Sequence, residues 1–395
     1  MAIQDIDSRV LHEAVLNKLI LADEALATAP KLDLVAPHTT DAITREWLQE
    51  LIGTPVPGAG LEELAVADAH DGMTSRKKWS LRWNDAGHEA GLPRSIFVKA
   101  TPPRAEHRVM LAVLHMSEAE ANFYRRIQPE IPDLAPRAYH AESHPGGRHL
   151  IVLDDLVERG CTPFWAKDHC GIDHVRSIAR ALATLHARYW TSERLSGDLA
   201  WVRPRTRRYG WSWLRDMTHD VRRAFHEVAG EEILPASLRP LLRLWDENSD
   251  RVFDYMESLP ATVLHGDSHL GNTFAHPDGR AGLFDWQVIF RGHGLRDLAY
   301  FNVSAMSNET RRAHEKEVFD IYLDALRASG VHLDRDLAWN NYCLFILDSW
   351  DAGITSWVHG TYGHEGQERR FESVAGCLSD NDIQGRLETL LRKLG

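Results

Sequence analysis

Cysteine is scarce in this chain, and its four copies, Cys161, Cys170, Cys343 and Cys377, form no CxxC pair. That argues against a disulfide framework or a thiolate zinc site. An excess of positive charge is also missing. Lys and Arg number 45 against 57 Asp and Glu, a formal net charge of −12, so a general nucleic-acid binder is not expected. No run approaches the roughly 18 consecutive apolar residues of a membrane-spanning helix. The opening MAIQDIDSRVLHEAV lacks a basic start followed by an apolar stretch, so no secretory signal is expected and the chain reads as cytoplasmic. Without such a signal, the NxS/T triplets at Asn302 and Asn308 carry little weight. Internal repeats, low-complexity tracts, HExxH, GxSxG and GxGxxG are all absent.

What is present suits a globular protein. The 395 residues are 44% apolar and 26% charged, enough to bury a sizeable core in two domains or one two-lobed body. The spacing predicts a helix over 10–27 and another through Ile43, Trp47, Leu48, Leu51 and Ile52, capped by Asp41. Short strands are expected at Leu64–Ala67, Trp79–Trp83, Ser95–Ala100, Arg137–Glu142 and His149–Leu153, with turns at Asp71-Gly72, Asn84-Asp85 and Pro145-Gly146-Gly147. A helix is expected over Ser117–Ile127. Beyond a connector near 154–160 the pattern is mainly helical, over about 173–190, 238–258, 309–328, 338–352 and 382–393. This order suggests a small α+β part, a larger helical part and a ligand cleft.

The chemistry concentrates in Val263-Leu264-His265-Gly266-Asp267-Ser268-His269-Leu270-Gly271-Asn272, followed by Gly282-Leu283-Phe284-Asp285. An apolar strand runs into a loop carrying an Asp and, five positions on, an Asn; a second apolar run ends in Asp285. Phosphoryl transfer needs a carboxylate to orient a hydroxyl and take its proton, and oxygen ligands to hold magnesium against phosphates. Asp267 suits the first task, Asn272 and Asp285 the second. The same stretch also suits a different chemistry. On a strand, His265, Asp267 and His269 would share a face and serve a metal-dependent hydrolase.

The HGDxxxxN string with its following aspartate resembles the aminoglycoside phosphotransferase and choline kinase superfamily, closest to its ecdysteroid-kinase-like and bacterial phosphotransferase members. The resemblance implies an α+β, two-lobed, protein-kinase-like fold, with a small antiparallel-sheet lobe at 1–155 and a larger helical lobe at 156–395. It implies an ATP- and magnesium-dependent kinase acting on the hydroxyl of a small molecule, with no nucleic-acid or membrane partner. Residue by residue, Lys99 at the end of Ile96-Phe97-Val98 resembles the phosphate-contacting lysine. Glu120 resembles its helical partner, with Glu118 the weaker choice. Asp154 to Leu156 resembles the hinge beside adenine, and Asp297 an aspartate bracing the catalytic loop. His186, in Ala183-Thr184-Leu185-His186-Ala187, falls in a helix read as a packing element. No glycine-rich phosphate loop is present; Thr74 and Ser75 stand in its place. Asp285-Trp286-Gln287 occupies the position of DFG and no APE-like segment follows, which disfavours a regulated protein kinase. A non-catalytic binding pseudokinase is the remaining alternative.

For the acceptor, the aromatics Trp201, Tyr209, Trp211, Trp213, Trp339, Tyr342, Trp350 and Trp357 suit a core or an apolar pocket. Asp348 and Asp351, one turn apart, are a solvated face or a receptor for an amine. The arginines of Arg203–Arg208 suit an anionic tail or an exposed loop. A partly hydrophobic alcohol or a hydroxyacyl thioester is expected ahead of an amino sugar.

Overall fold

The computed structural model describes residues 17–23, 37–205, 219–223, 225–226, 229–230, 234–358 and 364–395. Two compact units divide the chain: Met1–Thr162 with Phe284–Val288, and Pro163–Leu283 with Ile289–Gly395.

The first unit is built on five antiparallel strands, β1 Leu61–Asp71, β2 Ser75–Trp83, β3 Ser95–Ala100, β4 Ala138–His144 and β5 Arg148–Asp154, in the order β1-β2-β3-β5-β4. Side chains alternate across a strand, which sorts β3 into two faces. Ile96, Val98 and Ala100 join Trp79, Leu81, Trp83 and Val152 in an apolar core, closed by Leu48 and Ile52 from the turns that precede β1. Phe97 and Lys99 therefore take the opposite face. The register sets Arg76 directly across from Lys99 and Lys78 across from Phe97. Helices α1 Ala105–Val113 and α2 Met116–Arg126 follow β3; α2 buries Glu120, Phe123 and Tyr124. Asp41 does not cap the first helical turn. Thr44 does, accepting from the Trp47 N–H at 3.1 Å, while Asp41 pairs with Lys77.

The second unit is mainly helical: α3 Ile172–Tyr189, α4 Arg239–Ser258, α5 Leu295–Ala305, α6 Asn308–Ala328, α7 Arg335–Val358, α8 His364–Asp380 and α9 Ile383–Leu394. The expected stripe Val175, Ile178, Ala179, Leu182 and Leu185 is wholly buried. Two short antiparallel pairs frame the loops that matter: β6 Thr262–Leu264 with β9 Phe290–Gly292, and β7 Thr273–Ala275 with β8 Ala281–Leu283. Helices α1, α5 and α8 go beyond the elements expected from the pattern. α5 is buried on nearly every side, so no amphipathic period marks it. Tyr342 and Trp350 are fully buried and pack against Trp339 and Phe371, so these two belong to the core. Tyr209, Trp211, Trp213 and the side chain of Trp357 lie outside the described residues, as do residues 206–208 of the arginine-rich segment. The four cysteines are free thiols.

Candidate active site

In the first unit, β3 ends by presenting Lys99 away from the core, and α2 presents Glu120 to meet it. Lys99 Nζ lies 2.8 and 2.7 Å from the two Glu120 carboxylate oxygens and 2.9 Å from Asp285 Oδ1. Burial drives the Glu120 carboxyl above its ordinary range, an effect only partly offset by Lys99. Asp285 has a backbone φ of +64°, a left-handed conformation that few side chains adopt. It is secured by its neighbour: the Trp286 indole stacks on Phe123 of α2 at 3.9 Å and 7°. Its second oxygen, Oδ2, accepts from Arg76 Nη2 at 3.2 Å. Glu118 points elsewhere, to His115.

Thr74 and Ser75 are buried and their hydroxyls are engaged. Thr74 Oγ1 accepts from Arg76 Nε at 3.1 Å, and Ser75 Oγ lies 3.1 Å from Thr40 Oγ1. The Asp154 carboxylate accepts from the Tyr139 hydroxyl at 2.5 Å and pairs with Arg159 at 3.0 Å. The Leu156 carbonyl accepts from the Cys161 N–H at 2.9 Å.

In the second unit, β6 delivers the loop 265–272, and buried Asp297 at the start of α5 holds it. The Asp297 carboxylate accepts from the backbone N–H groups of His265 (2.6 Å) and Gly266 (3.2 Å), and its carbonyl accepts from Ser268 Oγ at 2.9 Å. Burial raises this carboxyl, but the His186 ring, with Nε2 3.5 Å from Asp297 Oδ2, and the charge of Arg296 outweigh it, and the net position is below the ordinary range. His186, read as packing from sequence, is thus part of the brace; its Nδ1 lies 2.8 Å from the Tyr322 hydroxyl. Arg296 Nη1 donates to the Gly266 carbonyl at 2.5 Å. Gly266, at φ +85°, turns the chain where other residues are strained. A Cβ on Gly271 would sit 2.7 Å from that of Ala166.

The loop ends with Asn272, whose Nδ2 donates to the Asp267 carbonyl at 2.8 Å and to its Oδ2 at 3.2 Å. With the amide nitrogen committed to Asp267, the side-chain oxygen is the donor atom left to Asn272. The hydrolase arrangement fails here. Residue 265 follows β6 rather than lying on a strand, His265 is fully buried, and its Nδ1 accepts from the Asp267 N–H at 3.2 Å. No group of three or more His, Cys, Asp or Glu able to hold a metal occurs among the described residues.

Asp348 and Asp351 are not open to an amine. Asp348 is buried and clamped by Arg205 and by Arg296 Nε at 2.8 Å. Burial raises its carboxyl, yet the two arginines bring it down to about 2. Asp351 accepts from Arg222 Nε at 2.7 Å and Trp245 Nε1 at 3.1 Å. Beside this clamp is a shallow open depression bordered among others by Phe253, Met256, Phe290, Phe345, Arg205 and Arg296.

Residues 78–334 match the model of the ecdysteroid kinase-like family. The chain belongs to that family. As an ecdysteroid kinase-like protein it is a phosphotransferase whose class of acceptor is a hydroxyl group. No curated protein matches the sequence. Among solved structures, an ethanolamine kinase from Plasmodium vivax is 13% identical over 86% of this chain and 87% of its own, with a TM-score of 0.51, which places the kinase-like fold. Choline kinase LicA from Streptococcus pneumoniae is 14% identical over 85% of this chain and 98% of its own, with a TM-score of 0.48. No helix among the described residues is long and apolar enough to cross a membrane.

Proposed function

We propose that this ecdysteroid kinase-like protein transfers the γ-phosphoryl group of ATP to the hydroxyl of a small, partly hydrophobic alcohol or hydroxyacyl thioester, with magnesium. The observation that carries this reading is the buried lysine Lys99, held by Glu120 and Asp285 at hydrogen-bond distance. A lysine fixed so firmly serves as a positioned charge rather than a solvated one. When bound through the oxygens of Asn272 and Asp285, magnesium supplies charge neutralisation at the phosphates.

Lys99 steadies the phosphate charge, and the backbone at Asp154 to Leu156 lies along the adenine. Asp267, oriented by Asn272, accepts the acceptor's hydroxyl proton as the new P–O bond forms and the bond to the β-phosphate oxygen breaks. Most of the acceleration then comes from positioning and fixed charge. The aromatic depression beside Phe253, Phe290 and Phe345 suits an apolar acceptor body. The arginine clamps on Asp348 and Asp351 argue against an amino sugar.

A screen of hydroxyl acceptors for ADP release tests the reading, with D267A and D285A as controls. Both variants are expected to fold and to lose transfer. Near-normal turnover in either one refutes the assignment of that residue.

A further inference from the structure

This chain lacks a glycine-rich phosphate loop. The link between β1 and β2 is only Gly72-Met73-Thr74, and the hydroxyls of Thr74 and Ser75 are buried and engaged internally. Another group must meet the phosphates. Arg76 stands directly opposite Lys99 in the β2–β3 register, so both cations project from the same face of the sheet. The two divide one carboxylate, Lys99 on Oδ1 and Arg76 on Oδ2 of Asp285. Lys99 and Glu120 are nearly sealed, with side chains 4% and 1% exposed, whereas Arg76 is 35% exposed. Arg76 is the member of the cluster that can change partner.

Resting on the nucleotide-kinase reading above, we propose that Arg76 is a second phosphate-binding cation that exchanges the Asp285 carboxylate for the nucleotide's phosphates. Without nucleotide, two cations and two carboxylates balance. An arriving phosphate tail draws the guanidinium, whose planar fork of donors matches phosphate oxygens. That frees Asp285 Oδ2 for magnesium, which requires close oxygen contact. Metal therefore enters with the nucleotide rather than ahead of it.

Calorimetric titration of the full chain tests this, using ATP, ADP and adenosine in turn, and Mn²⁺ alone followed by its EPR signal. In R76A, ATP and ADP affinity should fall about tenfold or more, the worth of one charge-assisted hydrogen bond, while adenosine binds as before. R76K should recover part of the loss. Mn²⁺ without nucleotide should bind R76A more tightly than the unmodified protein. Unchanged ATP affinity, a parallel loss of adenosine, or equal Mn²⁺ binding overturns the proposal. If R76A fails to fold, R76Q is judged by the same three results. Failure of the unmodified protein to bind ATP at all overturns the kinase reading as well, whereas tight ATP binding with an indifferent R76A overturns this inference alone.

Discussion

Acid should destabilise this protein well before its carboxylates titrate, because three buried histidines are held neutral. Burial lowers His149 and His174 to about 4 and His293 to about 3. Geometry gives the same answer. His149 Nδ1 lies 3.1 Å from the Gly147 carbonyl and His174 Nε2 lies 3.0 Å from Thr273 Oγ1. The other ring nitrogen of each has no hydrogen-bond partner among the described residues, so a second proton would create an unsatisfied buried donor. At His293, Nδ1 accepts from the Leu295 N–H at 3.3 Å, a bond that protonation would abolish.

A group whose native pKa lies below its unfolded value of about 6.5 takes up protons on unfolding. Its stabilisation is complete above pH 6.5 and is lost as pH falls toward the native value. At pH 5 the loss is about 2 kcal/mol per histidine, hence about 4 kcal/mol for the second unit, which holds His174 and His293. That is a large share of the roughly 5–15 kcal/mol that stabilises a domain. Glu120, raised by burial, shifts the first unit the opposite way. Urea unfolding at pH 7.5 and 5.0, followed by tryptophan fluorescence, measures the effect. H174Q keeps a donor for Thr273 but cannot titrate, so its loss between the two pH values should be about 2 kcal/mol smaller. Parallel pH dependences for H174Q and the unmodified protein would refute the reasoning.

Other outcomes follow from the same geometry. D297N should lower stability by about 2–4 kcal/mol, because an amide replaces a charged acceptor of two backbone N–H groups. Thermal denaturation checks this; the deficit should hold above about pH 4 and close in stronger acid, since the native carboxyl lies below its ordinary range. D348A should cost about 3–5 kcal/mol by removing the buried carboxylate that Arg205 and Arg296 share. That gap should shrink only as pH falls from about 4 toward 2, measurable in the same melts. Ellman's reagent should titrate at most Cys170 rapidly in native protein, because Cys161, Cys343 and Cys377 are buried; all four should react in guanidinium.

Much of the fold was legible because it obeys period. β2 alternates and the helices α3 and α4 carry a 3.6-residue stripe, and the HGDxxxxN string points to the family that the chain matches. The elements not foreseen have physical reasons. α5 is buried all round and shows no stripe, and Asp41 lost the cap to Thr44 because a nearer oxygen met the Trp47 N–H. The aspartates 348 and 351 looked available because their arginine partners lie far off in sequence. Arg76 lay outside the expected strand Trp79–Trp83, and only the register sets it opposite Lys99. His186 and Arg296 gave no local sign of bracing the loop, since each acts through backbone groups or a carboxylate distant in the chain.

The stacking of Trp286 on Phe123 bears on how this polypeptide can be dissected. A fragment ending at Thr162 would lack the indole that covers Phe123 and the carboxylate that shares Lys99, exposing an aromatic face and weakening the setting of a buried cation. The N-terminal body is discontinuous in the gene, and its missing piece is five codons from the other half.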